Sequence, residues 1–434
     1  MDKFVIRGGN PLTGAIRISG AKNSALPCMA AAILTEGEIT LENIPQVRDI
    51  ETERKLLESM GAEVALREGQ AQDHTVLCCK TLSDPVARYE IVKTMRASSL
   101  VLGPLIARTG MARVAMPGGC AIGGRPIDLH IKALEKMGAV ITQEHGYLEA
   151  RARRLRGAHI VFDKITVTGT EDILMAAVLA EGETLVENCA REPEVADLAA
   201  LLTAMGANIQ GSGTATIRVH GVTSLQGARH RIFPDRIEAG TFLVAGAITR
   251  GDLTVTNCNP AHLGAVISKL EEVGAGIELL GPNSVRVTAS GPLRAADIST
   301  EEYPGFPTDM QAQYMALATQ AEGVSQVREN IFENRFMHVQ ELVRMGANIK
   351  VDGNTATVRG PAKLSSAAVM CSDLRASASL VLAALVADGE SILDRVYHMD
   401  RGYERIEEKL SSVGAQIQRL GNIFTPREEA TLVT

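Results

Sequence analysis

Lys132-Ala133-Leu134-Glu135-Lys136-Met137-Gly138-Ala139 reads as the last turns of an amphipathic helix, a glycine stop and the lead into a strand. A glycine there closes a helix because it alone adopts the left-handed backbone without steric cost. The same phrase recurs as Met60-Gly61-Ala62, Met205-Gly206-Ala207, Val273-Gly274-Ala275, Met345-Gly346-Ala347 and Val413-Gly414-Ala415. Six copies at a period of roughly 70 residues mark an internally repeated chain. A second phrase precedes each copy: Glu36-Gly37, Thr109-Gly110, Glu181-Gly182, Arg250-Gly251, Glu322-Gly323 and Asp388-Gly389. It closes an Ala/Leu-rich helix and opens a strand such as Thr184 to Glu187, whose residues suit a pleated sheet.

Each unit therefore predicts strand, helix, strand, helix and two further strands, an α/β class. The first helix, for example Ala376 to Ala387, is apolar nearly all round and reads as buried; the second is amphipathic. At 434 residues the chain exceeds what one hydrophobic core supports, so six units divide into two domains of three.

The spacing from the first glycine to the second is 24, 28, 24, 23, 23 and 25 residues, so the second unit carries an insertion. It falls in Pro117-Gly118-Gly119-Cys120-Ala121-Ile122-Gly123-Gly124, a run too rich in glycine to hold a helix or strand. A thiol on such a loop is reachable by substrate, and Arg125 beside it favours thiolate or holds an anion.

Fourteen or fifteen residues before each first glycine stand Lys22, Arg96, Arg236, Asp309 and Arg375, with Val167 and Thr168 in the third unit. All fall at the start of the apolar helix, where free backbone N–H groups already favour anions. Cations are unfavourable to the helix dipole at that end, so capping does not explain them. Thr308-Asp309, in contrast, also fits ordinary capping. The loops before the second helices add Arg48, Arg125, Arg191, Arg335 and Arg401. Salt bridges on a solvated surface are the simple reading of any one of these. Two arginine-bearing registers repeated through the chain predict instead a basic cleft between the domains and a ligand with several negative charges.

Composition bounds the alternatives. Aromatic residues make up 3% with no Trp, and the formal net charge is −7, which together disfavour nucleic-acid binding. The N-terminus lacks a secretion signal and no uncharged apolar run approaches 18 residues, so the expectation is a cytoplasmic protein without membrane spans. Seven cysteines without a CxxC pair suggest free thiols in the core rather than disulfides or a zinc knuckle. No HExxH, P-loop or GxGxxG is present, and the residues do not set an oligomeric state.

Lys22-Asn23, Met95-Arg96-Ala97-Ser98, Pro117 to Cys120, Arg125-Pro126-Ile127-Asp128-Leu129-His130, Phe233-Pro234-Asp235-Arg236, Pro307-Thr308-Asp309-Met310, Glu333 to His338, Asp373 to Ser377 and Asp400 to Arg405 together closely resemble the enolpyruvyl transferases, in their nucleotide-sugar branch. The resemblance covers almost the whole chain. It implies an inside-out α/β barrel of two pseudo-threefold domains. Residues 22–233 would form the first, with the Cys120 loop, and residues 1–21 and 234–434 the second, joined by a double crossover that acts as a hinge.

The implied reaction moves the enolpyruvyl group of phosphoenolpyruvate to the 3'-hydroxyl of UDP-N-acetylglucosamine by addition and elimination, the first committed step of peptidoglycan synthesis, without metal or organic cofactor. By resemblance Cys120, Asp309, Lys22 and Arg401 are catalytic. Cys120 is the general acid and the thiol that fosfomycin attacks, and Asp309 is the base. Lys22, Arg125, Arg335, Arg375 and Arg401 answer the phosphate and carboxylate, and Asn23 and Arg96 also touch ligand. Arg125, Pro126, Ile127, Asp128, Leu129, Lys164, Ile165, Thr166, Val167 and Ile331 hold the nucleotide sugar. Thr168-Gly169 departs from the Gly-Ala pair of many relatives. The alternatives are transfer to shikimate 3-phosphate and a non-catalytic anion-binding scaffold.

Overall fold

The structure, a computed structural model, describes residues 2–67, 74–116 and 127–421. They fold into six four-stranded sheets, one for each repeat. The third repeat shows the plan: strand His159–Val161, helix Val167–Ala177, strand Glu183–Glu187, helix Pro193–Ala204, then strands Asn208–Gln210 and Thr216–His220. The first strand runs parallel to the second, as a helical crossover requires, and the other pairings are antiparallel.

The recurring Met-Gly-Ala phrase has a common structural cause. Gly61, Gly138, Gly206, Gly274, Gly346 and Gly414 all have φ between 92° and 104°. Gly61 N–H donates to Glu58 O at 3.0 Å and Ala62 N–H to Leu57 O at 3.1 Å, the paired bonds of a Schellman stop. Gly138 and Ala139 repeat the pattern on Glu135 and Leu134, and so do the other four copies. The Met or Val before each glycine and the Ala after it are buried, which locks the helix end onto the core.

Three sheets are completed by strands distant in sequence. Lys3–Arg7 lies between Glu390–Asp394 and Gln416–Leu420; Thr13–Arg17 pairs in parallel with Asp252–Thr256; Ala228–Arg231 pairs in parallel with Ile39–Glu42. The described residues consequently form two compact units, one of residues up to Ser19 with those from Pro234 onward, the other from Gly20 to Phe233. Where the chain changes unit, Asp235 N–H bonds Ser19 O at 2.9 Å in one and Ala21 N–H bonds Phe233 O at 2.8 Å in the other.

Each unit has three sheets outside and the apolar helices inside, an inside-out α/β barrel. In one unit the inner helices are Arg236–Ile248, Gln311–Ala318 and Ala376–Val386; in the other, Lys22–Ala30, Leu102–Thr109 and Val167–Ala177. Residues 237–248 are buried without exception, as are 376–385. The strands alternate: Val285 and Val287 of Ser284–Thr288 are fully buried, between residues that are not. Among the described residues no helix is long and apolar enough to cross a membrane.

Candidate functional site

In the unit that contains Asp309, two of the predicted cations, Arg335 and Arg375, meet carboxylates. Asp309 sits in the 3-10 turn Thr308–Met310 ahead of helix Gln311–Ala318, and the cap positions of the two elements are Pro307 and Met310. Arg335 Nη2 donates to Asp309 Oδ1 at 2.6 Å, and Arg335 Nη1 donates to Thr308 Oγ1 at 2.8 Å. Thr308 Oγ1 in turn donates to Glu329, 2.9 Å from Oε2. Glu329 Oε1 accepts from the backbone of Ile331 at 2.9 Å and Phe332 at 3.1 Å, so one carboxylate shapes the turn that carries Ile331.

Arg375, predicted at a helix start, is the residue immediately before Ala376–Val386 and is 2% exposed. Its Nη2 donates to Asp235 Oδ2 at 2.7 Å and its Nη1 to Gly402 O at 2.9 Å. Its guanidinium carbon lies 4.9 Å from the centre of the Tyr403 ring, and Nε stands 4.0 Å from Asp309 Oδ2. Asp235 thus does two jobs. Its other oxygen caps helix Arg236–Ile248 by accepting from Ile237 N and Glu238 N. Burial opposes the charges of Arg335 and Arg375, yet the carboxylates around them outweigh it and hold both guanidinium groups more firmly protonated than usual. Arg401 ends the 3-10 helix Val396–Arg401 and is half-buried. His338, 1% exposed and without a hydrogen bond to either ring nitrogen among the described residues, is pushed down to about 4 by burial, opposed by Asp373 and reinforced by Arg335.

In the other unit Lys22 opens helix Lys22–Ala30 and its Nζ donates to Asp49 Oδ2 at 3.0 Å, with both residues buried. One turn beyond Asp49, Glu53 is fully buried and neither carboxyl oxygen has a hydrogen-bond partner among the described residues. Burial, with Asp49 adding to it, pushes its carboxyl up to about 8. Asn23 and Arg96 are both half-buried, Arg96 at the start of 3-10 helix Arg96–Val101.

Two predicted segments of this unit are tied by His130. Ile127 precedes helix Asp128–Lys136, in which Leu129 is half-buried, and Thr166 caps helix Val167–Ala177 by accepting from Gly169 N at 3.1 Å. His130 from the first helix meets Thr168 Oγ1 at 3.3 Å and Asp172 Oδ2 at 3.2 Å in the second. Asp172 also accepts from Gly103 N at 2.7 Å; burial raises its carboxyl, against the pull of His130 and Gly103. A Cβ at residue 169 would lie 2.4 Å from Thr166 Cγ2, which couples the Thr166 cap to the glycine of Thr168-Gly169. Lys164 and Ile165 lead into this cap, and a groove of about 430 Å³ beside them is lined by Leu129, Lys132, Lys136, Phe162 and Asp163.

The structure thus gathers Asp309, Arg335, Arg375 and Ile331 into one connected cluster, and His130 ties the helix that follows Ile127 to the one that follows Thr166. Cys120, Arg125 and Pro126 lie outside the described residues. Residue patterning alone does not mark Asp49, Glu53, Asp235, Glu329, His338 or Asp172 as site residues. Asp235 could have been found as an N-cap just before a buried helix; a lone Glu or Asp on an amphipathic helix gives no such signal.

The profile of the family described as EPSP synthase (3-phosphoshikimate 1-carboxyvinyltransferase) matches residues 6–410. A protein of Acidobacterium capsulatum named UDP-N-acetylglucosamine 1-carboxyvinyltransferase is 76% identical over 434 residues, all of both chains. The chain belongs to the enolpyruvyl transferase family. A Koribacter versatilis protein of the same name is 69% identical, again over the full length of both. Among solved structures, the enolpyruvyl transferase NikO from Streptomyces tendae superposes with a TM-score of 0.86 at 25% identity, covering 96% of this chain and 98% of its own. EPSP synthase from Acinetobacter baumannii, at 20% identity over 97% of this chain and 100% of its own, has a TM-score of 0.73 and shares the fold. The two inside-out barrels are therefore those of an enolpyruvyl transferase.

Proposed function

We propose that this enolpyruvyl transferase moves the enolpyruvyl group of phosphoenolpyruvate to the 3'-hydroxyl of UDP-N-acetylglucosamine and releases phosphate, in the cytoplasm, as the first committed step of peptidoglycan synthesis. The observation that carries the reading is the 76% identity, end to end, to a protein named for that activity, set against 20% to an EPSP synthase.

The chemistry assigns the residues. Addition to C2 of phosphoenolpyruvate needs a proton at C3, which Cys120 donates, and removal of the 3'-hydroxyl proton, which Asp309 accepts. The tetrahedral adduct then loses phosphate as the proton leaves C3. Lys22, Arg125, Arg335, Arg375 and Arg401 hold the phosphate and carboxylate, where the fork of a guanidinium matches both anions. Two of those guanidinium groups are already fixed by Asp309, Asp235 and Gly402, so little side-chain entropy is lost when they meet a ligand. Asn23 and Arg96 complete the anion contacts. Ile127, Asp128, Leu129, Lys164, Ile165, Thr166, Val167 and Ile331, with Arg125 and Pro126, hold the nucleotide sugar.

Phosphate release measured with phosphoenolpyruvate and either UDP-N-acetylglucosamine or shikimate 3-phosphate tests the proposal. Turnover with the nucleotide sugar alone is expected; turnover with shikimate 3-phosphate alone would replace this reading with the alternative.

A further inference from the structure

Inside the unit that begins at Gly20, three side chains that the proposed reaction does not use meet at one point. Cys28 comes from helix Lys22–Ala30, Asp197 from helix Pro193–Ala204 and His230 from strand Ala228–Arg231. Their sulfur, carboxylate oxygen and imidazole nitrogen all lie within 4.8 Å of one another. Asp197 Oδ1 is 2.9 Å from His230 Nε2, and Ser24 Oγ donates to Asp197 Oδ2. The side chains of Asp197 and His230 keep 12% and 13% exposure, whereas Cys28 is sealed behind them, so an ion can enter from the side of the carboxylate and imidazole.

Glu171, 2% exposed on helix Val167–Ala177, adds the smallest electrostatic push on Cys28, and burial with Glu194, Glu192 and Asp172 beside it raises its own carboxyl well above the usual range.

We propose that Cys28, Asp197 and His230 form a divalent-metal site. A thiolate with an imidazole and a carboxylate suits zinc and disfavours magnesium or calcium, which take oxygen ligands. At zinc the ligand distances of about 2.0–2.3 Å set ligand atoms roughly 3.4 Å apart, which small side-chain rotations from the present spacing reach, with Asp197 turning away from Ser24. On binding, the Cys28 S–H bond breaks, the S–Zn bond forms and the proton leaves to water. Without the ion, burial and the charges of Asp197 and Glu171 keep that thiol protonated; the ion reverses their effect. Since the ligands come from two helices and a strand, the metal would staple the last turn of helix Lys22–Ala30 to the sheet that Ala228–Arg231 completes.

The test is a titration of the full-length, metal-stripped protein with Co²⁺ under reducing conditions, read by the thiolate-to-cobalt charge-transfer band. One equivalent of Co²⁺ is expected to develop the band, and zinc to displace it. Cys28→Ser should abolish it, His230→Gln should weaken Co²⁺ binding by about 10-fold or more, and Cys120→Ala should leave it intact. His230→Gln also decides the case if Cys28→Ser does not fold, since its side chain is not sealed in the core. No band in the wild type, a band that survives Cys28→Ser, or a band lost in Cys120→Ala would each overturn the proposal. None of these ligands belongs to the residues assigned to enolpyruvyl transfer, so neither reading depends on the other.

Discussion

Arg335 donates to Asp309 Oδ1 at 2.6 Å, and the cap position of the following helix belongs to Met310, not to Asp309. Capping was the ordinary explanation for Thr308-Asp309; the geometry favours a carboxylate oriented by guanidinium groups. Asp309→Asn keeps an oxygen to accept from Arg335 but cannot take a proton. Turnover should fall by about 10²-fold or more with the thermal unfolding midpoint little changed. A near-normal rate, measured by phosphate release, would remove Asp309 from the role of base.

Lys22 and Asp49 form a buried ion pair at 3.0 Å. Removing one partner strands the other charge, so Lys22→Met should cost about 3–5 kcal/mol by denaturant unfolding. The double change Lys22→Met with Asp49→Leu should recover most of that stability, because the stranded charge is gone. Turnover should stay low in both, since a ligand cation is missing in each. Recovery of activity with stability would mean that Lys22 serves the fold alone.

Glu53 makes stability depend on pH. Its carboxyl is pushed from 4.5 to about 8 by burial, with Asp49 adding to it. Between those values the unfolded chain has released the proton and the folded chain keeps it, so stability is full below 4.5 and is lost as the pH rises toward 8. Glu53→Gln removes the titration. It should flatten the curve of unfolding free energy against pH across this window and be the more stable protein at pH 8, by roughly 3–5 kcal/mol relative to the comparison at low pH. Parallel curves for the two proteins would show that Glu53 is solvated.

The repeat was legible because each helix stop needs the same three residues: an inward apolar side chain, a glycine at positive φ and an inward alanine. The cation register was legible for a similar reason, since Lys22, Arg96, Arg236 and Arg375 all do stand at the starts of inner helices or turns that lead into them. Residue patterning could not show which sheet receives Lys3–Arg7, Thr13–Arg17 or Ala228–Arg231. Alternation fixes which face of a strand is buried and leaves its neighbour to contacts hundreds of residues away. The partners of the cations were hidden likewise: Asp235 lies 140 positions before Arg375, and Glu53 reads as part of a charged helix face until the packing buries it.

The sequence insertion found only in the second repeat carries Cys120, and the spacing of the other repeats gives that insertion no packing purpose. As general acid it must hold a proton near the pH of turnover and release it to C3 of phosphoenolpyruvate. A carboxylic acid of similar reach can do so in part, whereas a serine hydroxyl, which parts with its proton only at far higher pH, cannot. Cys120→Asp should therefore retain turnover and Cys120→Ser should lose most of it, both with wild-type unfolding curves, since a glycine-rich loop adds little to a core. Thiol alkylation should inactivate the wild type, and fosfomycin likewise, while the Asp variant, which offers no sulfur nucleophile, should resist both. If Cys120→Ser turns over as fast as the wild type, the proton reaches C3 from another group, and the loop serves to exclude water from the reacting atoms.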